Sequence, residues 1–320
     1  KIALHDMKKG HKLIKYGNVI GILSADVKKG EWIHSHNLKT SLSSLAPSYH
    51  YDKNIPASVE PSSRTFRGFL RADGSAGTRN DLFIIPTVGC INSIVDKMKN
   101  TFLAKYPEMK GRVKTLTHPY GCSQLGENNR LNDFMKAVGT YDPLRLKFFN
   151  AQDYDDEVSY GVKQMESLYE VMKEDRRIDL PLSKISLGLK CGGSDGLSGL
   201  TANPLAGLVS DVIGASNGKV ALTEVPEMFG AEQSLMNRAE NKETYQKIIN
   251  LIENFKAYYA RNNQPCYENP SPGNKDGGIT TLEEKSNGCV LKGGSLMIRD
   301  VLDVGERLKT NKLSLVNGPG

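Results

Sequence analysis

The sequence predicts an α/β fold, with a small N-terminal β-rich module followed by α/β layers on a largely parallel sheet. Three observations predict it. Gly10, Gly17, Gly21 and Gly30 punctuate short β-like runs at the start of the chain. Continuous apolar runs of buried-strand type recur beyond residue 64. Between them lie stretches whose apolar residues recur at helical spacing.

In order, LIKYG, NVIGIL and EWIHSHN are the strand candidates of residues 1–43, and the sequence Lys-Lys-Gly occurs twice there. Residues 44–63, rich in proline and serine, read as a linker. Within residues 64–180, LFIIPTV (82–88) and RVKTLTH (112–118) read as strands. Ile91, Ile94, Val95, Met98 and Phe102 define one amphipathic helix, and Val162, Met165, Tyr169 and Met172 another. Residues 181–320 add the strands ISLGL, KVALTEV and LSLV, and a long helix with Tyr245, Ile248, Ile249, Ile252, Phe255 and Tyr259 on one face.

At 320 residues the chain is too long for one ordinary core. Hydrophobic residues make up 38% and charged residues 24%, which excludes a disordered chain. No run reaches the apolar length of a bilayer span, and the charged opening KIALHDMKKGHKLIKYG is not a signal peptide, so no membrane is expected. The net charge of +6 raises the question of nucleic acid. However, the lysines are scattered and form no arginine-rich tract, so a solvated surface explains them and no nucleic-acid partner is expected. A modest positive field also suits a small anionic substrate. The five cysteines include no CxxC pair, which argues against a disulfide framework and for a cytoplasmic protein.

The richest loops follow strand candidates, where sites form in parallel sheets. VGC, HPYGCSQ, KCGGSDGLSG and TEVPEMFGAE are these loops, and they are expected to converge. His34 and His36, at i and i+2 of a strand, would share a face and could hold one metal ion; two surface histidines are the plainer explanation. Arg71 and Arg79 flank a glycine-rich turn and offer planar forks for a carboxylate, although a simple turn accounts for them equally. The segment from Cys191 through Gly192, Gly193, Ser194 and Asp195 to Ser198 has many amides that could cradle an anion, or it is a tight strand-to-helix connection. Glu224, Glu227 and Glu232 are carboxylates suited to metal ligation or proton removal. The polar stretch 268–289 reads as a long functional loop, with Lys275 and Asp276 its chemically capable members. Cys90, Cys122 and Cys191 could jointly hold an iron–sulfur cluster, or be small buried cysteines beside glycines.

Taken together, GHKLIKYGNVIG, DVKKGEWIHSHN, FRGFLRADGSAGTRN, HPYGCSQ, LGLKCGGSDGLSGLTANP, TEVPEMFGAE and ENPSPGNKDGGITTLEEKSNGC resemble, in order, the signature blocks of the altronate/galactarate dehydratase family. The resemblance runs from the first residues to the last. It implies an SAF-type module over 1–43, an α/β domain over 64–180 and a catalytic domain over 181–320. It also implies dependence on Fe²⁺ or Mn²⁺ and a cytoplasmic role in sugar-acid catabolism. Family members continue after Gly126 through a helix and a strand, whereas Gly126 here runs into Glu127, so residues are expected to be absent at that junction. Members also continue beyond the region where this chain stops at Gly320.

The implied reaction dehydrates D-altronate to 2-keto-3-deoxy-D-gluconate. Glu224 or Glu227 would take the C2 proton, His118 would protonate the departing hydroxyl, and Lys275 is a further catalytic candidate. Arg79, Asn80, Cys191, Gly192, Gly193, Ser194, Asp195 and Asn203 are the expected substrate-binding residues. His34, His36 and Cys122 are the expected metal ligands. Galactarate dehydration is the alternative within enzymes; a non-catalytic sugar-acid-binding module is the alternative of another class. A homo-oligomer is compatible with either.

Overall fold

The computed structural model describes residues 1–42, 49–56, 59–122 and 130–318. The chain divides into two compact units, one made of Lys1–Thr65 with Pro181–Gly320 and the other of Phe66–Leu180. No described helix is long and apolar enough to cross a membrane.

The N-terminal strands β1 (Lys12–Lys15), β2 (Asn18–Leu23) and β3 (Leu38–Lys39) form an antiparallel sheet in the order β1-β2-β3. Ala3, Met7, Ile20, Leu23, Val27, Ile33 and Leu38 close a small core of their own. The expected strand through His34 and His36 is not one. Residues 34–37 form a turn, in which the amides of Asn37 and Leu38 both donate to the His34 carbonyl. The described part of the proline-rich stretch 44–63 is pinned to the same unit. Tyr49 and Tyr51 pack on its core, and the Asn54 amide donates to the Asn237 carbonyl. Two tyrosines give this segment apolar area that its proline and serine content hides.

In the second unit, β4 (Thr65–Leu70) pairs with β5 (Ala76–Gly77) and with β8 (Ile178–Pro181), in the order β5-β4-β8. A parallel pair, β6 (Leu82–Ile84) and β7 (Val113–Thr115), carries α1 (Asn92–Lys105) and α3 (Glu157–Met172). The helix α2 (Leu131–Val138) lies between them in sequence. The apolar stripes expected for α1 and α3 meet: Val95, Met98 and Phe102 are buried, as are Val162, Met165 and Met172. The run 82–88 differs from the fully buried strand expected of it. It is a strand only over Leu82–Ile84, and Phe83 and Ile85 are exposed. Among the described residues only β7 pairs with β6, so the buried face is the one that α1 and α3 cover.

The remaining strands, β9 (Ser186–Leu189), β10 (Lys219–Leu222), β11 (Ile298–Leu302) and β12 (Lys312–Val316), form an all-parallel sheet in the order β11-β12-β10-β9. Its helices are α4 (Ala202–Ala215), α5 (Glu232–Met236), α6 (Lys242–Arg261), α7 (Pro272–Asp276) and α8 (Leu282–Cys289). The core joins Val220, Leu222, Leu313 and Leu315 of the strands to Ile248 and Ile252 of α6. Gly207 lets α4 approach the 3₁₀ turn Val290–Gly293, because a Cβ there would lie 2.3 Å from the Leu291 carbonyl oxygen. The stretch 268–289 is not one long loop. Its second half is the helix α8, every residue of which is buried, with Thr281 capping its first turn through the Glu284 amide. The Gly126–Glu127 junction lies outside the described residues.

Candidate active site

The loops leaving β9 and β10 start from neighbouring parallel strands, so both emerge at the same edge of the sheet. They bring Cys191, Glu224 and Glu227 together. Among the described residues this is the one group of three His, Cys, Asp or Glu side chains whose ligand atoms all lie within 4.8 Å of one another. Glu224 has a left-handed backbone (φ 66°, ψ 67°) although it is not glycine, and it is buried. Such a conformation costs about 1–3 kcal/mol and persists where surroundings enforce it, as sites often require. Here the Cys191 amide donates to Glu224 Oε2, and the Glu227 amide donates to the Glu224 carbonyl at 2.9 Å.

Two buried lysines face the carboxylates. Lys285 of α8 lies 3.0 Å from Glu227 Oε1, and Lys292 lies 3.7 Å from Glu227 Oε2 and 4.0 Å from Glu224 Oε2. Asn269 and Asn274 accept from Lys285 Nζ at 3.0 and 3.1 Å, while Asn274 Nδ2 donates to the Ser194 carbonyl at 2.8 Å. Burial pushes the Glu227 carboxyl upward, but the Cys289 thiol, Lys285 and Lys292 outweigh it and hold the group below its ordinary value. A hydrogen bond from Cys289 pulls the Cys191 thiol down to about 6 against its burial, with help from Ser194, 3.1 Å away. Cys289 is pushed up in return, by that bond and by burial. Cys191, Glu224 and Glu227 thus face the side chains of Lys285 and Lys292.

The other expected site residues are placed as follows. Gly192 and Gly193 form the exposed rim beside Cys191, with open space where a Cβ would stand. Asp195 turns inward on its own loop, accepting from the Leu197 and Ser198 amides at 2.9 and 2.8 Å. Asn203 Nδ2 donates to the Gly288 carbonyl, joining α4 to α8. Lys275 meets His34 through its backbone: His34 Nε2 donates to the Lys275 carbonyl at 2.9 Å, and His34 Nδ1 accepts from Ser35. Both ring nitrogens of His34 are therefore engaged, and both His34 and His36 pack on the Trp32 ring. In the second unit, Arg79 pairs with Asp81 at 3.2 Å, and Asn80 is buried between Arg71 and Asp175. His118 is tied through its backbone to the Asn92 side chain, and Cys122 stands 3.7 Å from Cys90. Cys90 and Cys122 are exposed rather than buried beside their glycines. The loops after β9 and β10 meet within the first unit, and those after β6 and β7 meet within the second.

Sequence reasoning missed Lys285, Lys292, Cys289 and Asn274. The Thr-x-x-Glu cap ahead of α8 was the available signal for that helix. The cavity beside Ser194, Lys285 and Cys289 measures about 10 Å³, room for one water at most. A larger cavity of about 1040 Å³, lined by Pro226, Tyr258, Tyr259, Val301 and Val304, holds none of the expected groups except the flank of this loop.

A parallel sheet whose strand-end loops bring a thiol and two carboxylates together, faced by two buried lysines, is an α/β arrangement suited to acid–base chemistry. Comparison with known proteins narrows this. Residues 1–41 match the altronate/galactarate dehydratase SAF domain, residues 68–131 the D-galactarate dehydratase/altronate hydrolase second domain, and residues 182–320 the D-galactarate/altronate dehydratase C-terminal domain. Altronate dehydratase of Bacillus subtilis (strain 168) is 46% identical over all of this chain and 71% of its own length. Altronate dehydratase of Escherichia coli (strain K12) is 44% identical with the same coverage. Galactarate dehydratase (L-threo-forming) of Escherichia coli (strain K12) is 29% identical over 96% of this chain and 67% of its own length. The chain belongs to the altronate/galactarate dehydratase family, a family of hydro-lyases.

Proposed function

We propose that this protein removes water from D-altronate to give 2-keto-3-deoxy-D-gluconate, in the cytoplasm, using Fe²⁺ or Mn²⁺ at Cys191, Glu224 and Glu227. The observation that carries the reading is the convergence of these three groups in a chain that matches altronate dehydratases at 44–46% identity along its whole length. The residues fit such an ion. Glu227 Oε2 is a buried carboxylate oxygen without a hydrogen-bond partner, and thiolate with carboxylates is a donor set that suits iron or manganese. An ion held there would supply positive charge against the negative charge that develops as the C2 proton leaves.

The chain's own residues do the rest. Glu224 Oε1, 3.8 Å from Lys190, is the oxygen we assign to take the C2 proton. Lys285 and Lys292 hold Glu227 in its charged form. Gly192 and Gly193 are exposed with open space beside them, and their backbone is where a substrate carboxylate would dock. His118 and Lys275, expected as catalytic groups, take no step in this scheme. Metal-stripped protein, verified by elemental analysis, is expected to be inactive on D-altronate and to recover with Fe²⁺ or Mn²⁺. Full activity without metal contradicts the metal assignment, and faster turnover of galactarate contradicts the substrate assignment.

A further inference from the structure

We propose that Cys90 and Cys122 form a thiolate site for a thiophilic metal ion, held within the unit of residues 66–180. The site is built by two loops at one sheet edge. Strands β6 and β7 are parallel, so the chain leaves both at the same end. The two loops are then stitched together. The Gly89 amide donates to the Tyr120 carbonyl at 2.7 Å, and the Asn92 side chain both donates to the His118 carbonyl at 3.0 Å and accepts from its amide at 3.1 Å. A Cβ on Gly89 would lie 2.9 Å from the carbonyl oxygens of both His118 and Tyr120, so this approach requires glycine. Cys90 is the next residue, and its thiol is therefore fixed opposite Cys122.

The separation of the two sulfurs is 3.7 Å. A tetrahedral ion with metal–sulfur bonds of about 2.3 Å spaces two thiolate ligands about 3.8 Å apart, whereas a disulfide requires about 2.05 Å. The pair therefore has the spacing of two ligands around one ion. The Cys122 amide donates to Cys90 Sγ at 3.5 Å, a contact of the kind that supports a thiolate ligand from outside the coordination sphere. Cys90 also sits in the turn directly before α1, where the helix amides favour negative charge. Both thiols are exposed, so an ion has an entry path. Paired thiolates select Zn²⁺ or Fe²⁺ over Mg²⁺ or Ca²⁺. Binding releases the two thiol protons to solvent and involves no oxidation.

Co²⁺ is the probe, because thiolate-to-cobalt charge transfer reports sulfur ligation directly. The full chain carrying Cys191→Ser, reduced and metal-free, removes the other candidate thiolate from the reading. Addition of Co²⁺ is expected to give the near-ultraviolet charge-transfer band, and Zn²⁺ to abolish it by displacement. Adding either Cys90→Ser or Cys122→Ser should remove the band, while Cys266→Ser should leave it. Because both thiols are exposed, an unchanged melting curve in the serine variants separates a lost ligand from a lost fold. Absence of the band in the Cys191→Ser protein, or its survival in both added variants, overturns the proposal. Neither result bears on dehydration at the Cys191 cluster, which is assayed separately by keto-acid formation.

Discussion

Asp175 shows how single side chains set the second unit's stability. Arg145 grips both of its oxygens at 2.6 and 2.7 Å, and Asn80 donates to it at 2.8 Å. The Arg145 bonds hold the Asp175 carboxyl below its ordinary value despite some burial, and Asn80 adds to them. A depressed folded-state pKa means the charged form is favoured by folding. The resulting stability is fully present above the unfolded value of about 3.9 and is lost as pH falls through the lower folded value. Asp175→Asn is therefore expected to lower the melting temperature at neutral pH and to flatten its decline in acid. Melting curves taken from neutral pH down to about pH 2 check this; parallel acid profiles for parent and variant would contradict it. Asn80, expected from sequence to touch substrate, is thus a fixed part of this network. Its partly buried partner Asp175 lies 95 positions away in sequence, a distance over which no local pattern could show the pairing.

At the scale of elements, the helix α8 carries most of what was illegible. Strands β9 and β10 and helix α6 could be read because each has an apolar period that a core requires. Helix α8, with the sequence LEEKSNGC, has no such period, since it is buried on all sides and its two glutamates and its lysine meet polar partners instead. Glu283 accepts from Thr40 and from the Ser41 amide and hydroxyl, and Glu284 pairs with Lys1 and Lys15, both at 2.8 Å. These bonds join the N-terminal module to the catalytic sheet, where Lys285 of the same helix meets Glu227. The charge pattern was visible, but not which element each charge would face. Removing one partner of a buried pair leaves the others uncompensated. Glu284→Gln is expected to destabilise this unit by about 2–3 kcal/mol, toward the low end because the lysines remain partly hydrated. Urea denaturation measures it, and an unchanged midpoint would show that the pair contributes nothing. The paired histidines failed as a strand for a related reason: Asn37 Oδ1 accepts from the His34 amide and closes the turn, a side-chain effect that alternation does not register.

For the whole molecule, the order of family blocks was the most legible feature, and the division into units was less so. The first unit is discontinuous, because the N-terminal 65 residues complete the sheet-bearing part that begins at Pro181. The stretch aligned with the altronate dehydratases, 354 positions, is longer than this chain's 320 residues, so those relatives carry residues within the matched span that this chain does not. The candidate site itself was half legible. Cys191, Glu224 and Glu227 stand on glycine-rich strand ends, whereas Cys289, Lys285 and Lys292 come from a distant polar stretch. The central claim is that this cluster dehydrates D-altronate, with Glu224 taking the C2 proton. The most direct test is the initial rate of 2-keto-3-deoxy-D-gluconate formation from D-altronate by metal-loaded parent and Glu224→Gln proteins, measured side by side. Loss of the general base, which is also a proposed ligand, predicts a fall of about 10²-fold or more in the variant even where elemental analysis shows metal retained, with its melting temperature unchanged. Equal rates in the two proteins, or no keto acid from the metal-loaded parent, would contradict the account.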